Sequence, residues 1–122
     1  MKASDLRIGN YVQDNDGNIE QVWSLQIIFI IDKVNNEPHE GFYKPIAINT
    51  DWLLRFGFQL TRSGYRRGDY TIKPVLGYPM EMFDIYEIAE QDEYYIKTIF
   101  FVHDLQNGWH WLTGEELTIK DT

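Results

Sequence analysis

The chain contains no cysteine among its 122 residues. That absence excludes disulfides, thiolate nucleophiles and Cys-based metal sites, and it fits a reducing compartment. Cations are also short: 11 Lys and Arg face 19 Asp and Glu, for a formal charge of −8. Nucleic-acid binders draw much of their affinity from neutralising phosphates, so the overall balance runs against that class. Histidine is scarce as well. His39, His103 and His110 show no H-E-x-x-H spacing. On a continuous helix the last two would stand about 10 Å apart, too far for one ion. Neither a metal nor a cofactor is expected.

Long apolar runs are missing. The longest, Ile27 to Ile31, falls far below the ~20 residues a membrane-crossing helix needs. The opening MKASDLRIGN has no apolar signal-peptide core. No membrane association is expected, and the expected location is cytoplasmic. Ser4, Ser24 and Ser63 lie in no nucleophile motif, and the chain carries no P-loop or dinucleotide fingerprint. The weight of these absences is against an enzyme.

What the sequence does hold is enough for one domain with a real core. Phe, Tyr and Trp make up 16% of residues, and burying ring area is how a small domain gains much of its stability. The pattern predicts an α+β fold, mainly antiparallel sheet. LRIGNYVQ (6–13) alternates around Ile8 and Val12, and DNDGN (14–18) supplies hairpin chemistry. NIEQVWSL (18–25) returns with Ile19, Val22 and Trp23 toward the core, and IIFIID (27–32) reads as a buried strand. Together these suggest an SH3-like N-terminal meander. NNEPHEG (35–41) reads as a loop, and Pro45 places FYKPIAI (42–48) at a sheet edge or a strand start.

NTDWLLRFGF (49–58) predicts a short middle helix over about 50–56, capped by Asn49 or Thr50. Gly57 and Phe58 would close it, with Phe58 back on Leu53. FQLTRSGYRRGDYTIKPV (58–75) reads as two strands. MFDIYEIAEQDEYYIKTIFFV (82–102) reads as a hairpin with Glu90 to Glu93 at its tip. A C-terminal helix is expected over about 104–112, capped by Asp104, with Leu105, Trp109 and Leu112 as its apolar stripe. Gln106, His110 and Thr113 would point away from that stripe. Trp111 falls off it and has no packing explanation. Thr113 and Glu116, flanked by Leu112 and Leu117, form a T-x-x-E capping box. A break near Leu112 and one new turn are therefore expected.

One segment stands out against the acidic background. Arg62, Arg66, Arg67 and Lys73 interleave with Tyr65 and Tyr70. Such a hairpin offers phosphate or carboxylate contacts with rings for stacking, or simply a charged strand that avoids edge-to-edge pairing. The candidate interaction surface is Arg62, Tyr65, Arg66, Arg67, His110 and Trp111.

Four stretches taken together are similar to a known set: DLRIGNYV (5–12), PIAINTDWLLRFGF (45–58), FVHDLQN (101–107) and LTGEEL (112–117). In these the chain resembles a family of small uncharacterised proteins encoded by Bacteroides-type gut bacteria and by their phages and prophages. The likeness touches the start, middle and end of the chain and is thin between about 59 and 93. The final helix departs from it at Gly108 and His110, where the family carries apolar residues. What the resemblance implies is a prophage or mobile-element accessory protein. It transfers no catalytic residue.

Three functions compete. The first is a non-catalytic interaction protein that meets a protein partner or a second copy of itself. The second is a nucleic-acid-binding small barrel using the Arg/Tyr hairpin 62–73. The third is a small hydrolase, which needs two carboxylates facing each other in a cleft.

Overall fold

The computed structural model describes residues 6–14, 16–22, 43–79 and 81–119. Their elements run β1 (Tyr11–Asp14), β2 (Ile19–Gln21), β3 (Tyr43–Lys44), α1 (Thr50–Arg55), β4 (Gln59–Thr61), β5 (Gly64–Arg67), β6 (Tyr70–Pro74), β7 (Phe83–Ala89), β8 (Asp92–Ile99) and α2 (Val102–Thr113). The fold is α+β, and every strand pair among the described residues is antiparallel. The chain divides into two compact units, Met1–Ile46 with Phe101–Leu117, and Ala47–Phe100 with Thr118–Thr122.

In the first unit β1 lies between β2 and β3. The Asp-Gly turn closes β1 and β2 as its residues predict. Asp14 Oδ1 accepts the N–H groups of Asp16 and Asn18, each at 2.9 Å, and these bonds fold the chain back on itself. Val12 and Val22 are buried, but Ile8 and Ile19 are not (49% and 45% exposed). Ile8 sits in a turn before β1 rather than on the strand, which removes it from the inward alternation. β3 is an edge strand followed by Pro45, as the missing proline N–H requires. The first unit holds three strands and no closed barrel among the described residues. The expected strand 27–32, the loop 35–41 and the inward placement of Trp23 lie outside those residues.

α2 starts at Val102, two residues before the expected point. Phe101 is the N-cap residue, and Asp104 acts from the third helical position. Its Oδ2 accepts the Phe101 N–H at 3.0 Å, so the carboxylate closes the turn from inside while facing the positive end of the helix. The helix ends at Gly114, in the left-handed region at φ 77°, with its N–H on the His110 carbonyl at 2.8 Å. No new turn follows, which corrects the expected capping box. A single bond from a left-handed glycine is enough to stop a helix, without an apolar partner. Thr113 instead bonds back to the Trp109 carbonyl at 2.8 Å.

In the second unit β4 to β8 form a five-stranded meander in chain order. The segment 58–75 holds three strands rather than two, because Arg62-Ser63 and Gly68-Asp69 each make a tight turn. The β7–β8 hairpin turns at Glu90 and Gln91, both at positive φ, as a two-residue turn matched to strand twist demands. Glu93 lies past the tip, on β8, and pairs with Lys73.

α1 is built as predicted. Asn49 Oδ1 accepts the Trp52 N–H at 3.0 Å. At the other end the Phe58 N–H reaches the Leu53 carbonyl, and the Gly57 N–H reaches Leu54, both at 3.0 Å, with Gly57 at φ 89°. That is the full Schellman pair. Six residues do not hold a helix in water. Trp52, Leu53, Phe56 and Phe58 are buried, as are Ile72, Phe83, Ile85 and Ile99 on one face of the sheet. Each such side chain contributes roughly 1.5–3 kcal/mol by leaving water.

Candidate interaction surfaces

The densest polar arrangement joins residues 7–11, 106–107 and 116–117. Gln106 is wholly buried. Its Oε1 accepts the Tyr11 N–H at 2.8 Å, and its Nε2 donates to the carbonyls of Gly9 at 2.8 Å and Leu117 at 3.1 Å. One amide thus satisfies three backbone groups from residues far apart in sequence. Around it, Asn107 Oδ1 accepts from Arg7 Nε at 2.9 Å and from Asn10 Nδ2 at 2.8 Å. Arg7 Nη1 also meets Glu116 Oε1 at 2.6 Å. The cluster locks LRIGN, LQN and GEEL together, and all its members are satisfied within the unit. It is a staple rather than an open site.

The expected stripe ran through Leu105, Trp109 and Leu112 and left Gln106 outside, but Leu112 is only half-buried. Counted from Val102, the set Val102, Leu105, Gln106 and Trp109 follows i, i+3, i+4, i+7, and Gln106 falls inside. Gly108 is buried as well.

Trp111 lies on the other side of α2 and is 83% exposed, against 3% for Trp109. His110 beside it is also exposed, with Nε2 at 3.7 Å from Glu116 Oε1. His103, in contrast, is buried and stacked on Phe101 with ring centroids 5.7 Å apart. Among the described residues no three His, Cys, Asp or Glu side chains stand together as metal ligands. No helix there is long and apolar enough to cross a membrane.

The arginine hairpin divides. Arg62 is exposed in the turn before β5. Along β5 side chains alternate, so Arg66 points to one face while Tyr65 and Arg67 point to the other. Arg67 Nη1 donates to the Phe56 carbonyl at 2.6 Å, a basic side chain closing the end of α1. Lys73 pairs with Glu93 and lies 5.2 Å from the centre of the Tyr86 ring. Burial, with the nearby charges of Glu87 and Asp69, pushes the Tyr70 hydroxyl above its ordinary range. The basic residues therefore do not form one stripe.

Two concave regions of this unit bear on the hairpin and its neighbours. One, about 340 Å³, is lined by Gly57, Gln59, Thr61, Arg66, Arg67 and Gly68. Gln59 and Arg66 are directly opposed across β4 and β5. Arg66 Nε donates to the Gly68 carbonyl at 3.0 Å. The other, about 290 Å³, lies under the β6–β7 loop, beside exposed Leu76 and Tyr78. Gln59 was missed in the sequence. Its signal was the tight Arg62-Ser63 turn, which sets the register that opposes it to Arg66.

Comparison with family models, with curated proteins and with solved structures returned no match.

Proposed function

We propose that this protein is a non-catalytic interaction protein, of the accessory kind that the resemblance to phage and mobile-element proteins suggests. In this reading it binds a protein partner or a second copy of itself through the Trp111 side of α2. The supporting observation is the contrast within one helix: Trp109 is 3% exposed and Trp111 83%. Tryptophan in water forgoes a large burial gain, and it is among the residues that dominate binding energy once covered. His110 adds a polar rim to the same side. The nucleic-acid alternative is weakened by the turning apart of Arg66 and Arg67. The hydrolase alternative needs facing carboxylates, and Glu81 is the one acidic residue lining either of the two concave regions.

Trp111→Ser provides the test. Sedimentation equilibrium over a wide concentration range, together with affinity capture from lysate, is expected to show association by the wild type. The variant is expected to lose it by about tenfold or more. Stability should change by less than about 0.5 kcal/mol, as for an exposed site. A wild-type chain that stays monomeric and captures nothing beyond what Trp111→Ser captures would sink the proposal.

A further inference from the structure

The geometry points to a second site, an oxyanion pocket between β4 and β5, with Arg66 and Gln59 receiving a phosphate or carboxylate group. The pocket uses none of the residues of the Trp111 surface.

The cross-strand opposition of Gln59 and Arg66 sets their side chains next to each other on one face of the sheet. Arg66 is pre-oriented because its Nε is held by the Gly68 carbonyl. The end-on pair of guanidinium nitrogens has no partner among the described residues, and neither does the Gln59 amide. Two parallel N–H groups from one guanidinium match two oxygens of a carboxylate or phosphate, and a fixed guanidinium loses less freedom on binding. The amide supplies a third donor.

The charge pattern supports the same conclusion. Acidic residues outnumber basic ones by 19 to 11, yet none lines this concavity. Thr61 does not compete as a donor, since its hydroxyl already donates to the Gly64 carbonyl at 2.8 Å. The volume of about 340 Å³ accepts a single oxyanion group with part of what carries it.

The test is an amide and side-chain NMR titration of the full chain with inorganic phosphate and, separately, with acetate, at constant ionic strength set by chloride. Saturable shifts are expected at the Gly57 and Gly68 amides, the Gln59 side-chain amide and Arg66 Nε. Arg66→Gln is expected to weaken the response at least about tenfold. Arg66→Lys, which keeps the charge but not the two-pronged geometry, should fall between. Lys44→Gln, an exposed cation on β3 that does not line the pocket, should match the wild type. Saturation by phosphate with weaker acetate binding identifies a phosphate group as the natural ligand chemistry, and the reverse identifies a carboxylate. The proposal is overturned if neither anion saturates. It is overturned equally if Arg66→Gln, shown to be folded by its dispersed spectrum, binds as the wild type does, or if Lys44→Gln loses as much as Arg66→Gln.

Discussion

The two units are held by different chemistry. In the second, the buried set is almost wholly apolar: Ile48, Leu53, Phe56, Phe58, Ile72, Ile85 and Ile99. In the first, Val12, Leu105, Trp109 and Leu117 share the interior with Asn10 and Gln106. An apolar core tolerates repacking, because its interactions lack direction. A buried amide with three partners does not, since every bond has a geometry and each orphaned group costs free energy. The first unit should therefore be the one in which a small chemical change has a large effect.

Gln106→Leu tests this most directly. The volumes are similar, so little cavity forms. The Tyr11 N–H and the Leu117 carbonyl lose the bond from the Gln106 amide, while the Gly9 carbonyl keeps only Gln21 Nε2. The expected cost is about 3–5 kcal/mol by urea unfolding, with faster hydrogen exchange at the Tyr11 amide. Leu53→Ala in the second unit removes several buried methyl groups and is expected to cost about 2–4 kcal/mol. If Leu53→Ala proves the more damaging, the distinction between the units fails.

The smallest effect concerns acid. Hydrogen bonds, led by that from the Asn18 N–H, hold the Asp14 carboxyl below its ordinary value of 3.8, against desolvation, which raises it. A lowered folded-state pKa contributes stability above the unfolded value, and that contribution is lost as pH falls through the folded one. The β1–β2 hairpin should thus weaken from about pH 4 downward. Asp14→Asn should remove this part of the acid dependence, read as a flatter urea midpoint against pH.

Much of the fold was legible in residues close in sequence. The Asp14 turn, the α1 caps at Asn49 and Gly57 and the β7–β8 hairpin all rest on bonds within a few positions. The misplaced features share a different cause. Splitting 58–75 into two strands rather than three undervalued Gly68-Asp69 as a turn in its own right. Starting α2 at Asp104 overlooked that a carboxylate serves equally from the third helical position. Anchoring the buried face on Leu112, which is only half-buried, hid Gln106.

The sequence by itself determined the α+β class, the antiparallel hairpins, both helices and the end of α1, because capping and turn chemistry act over one to five residues. Only the tertiary structure decided that Gln106 is buried and Trp111 exposed, that Arg67 closes a helix while Arg66 faces a concavity, and that Arg7 meets Glu116. Periodicity assigns side chains to faces. Which face is covered, and what lies opposite a polar group, depends on segments up to about a hundred residues away.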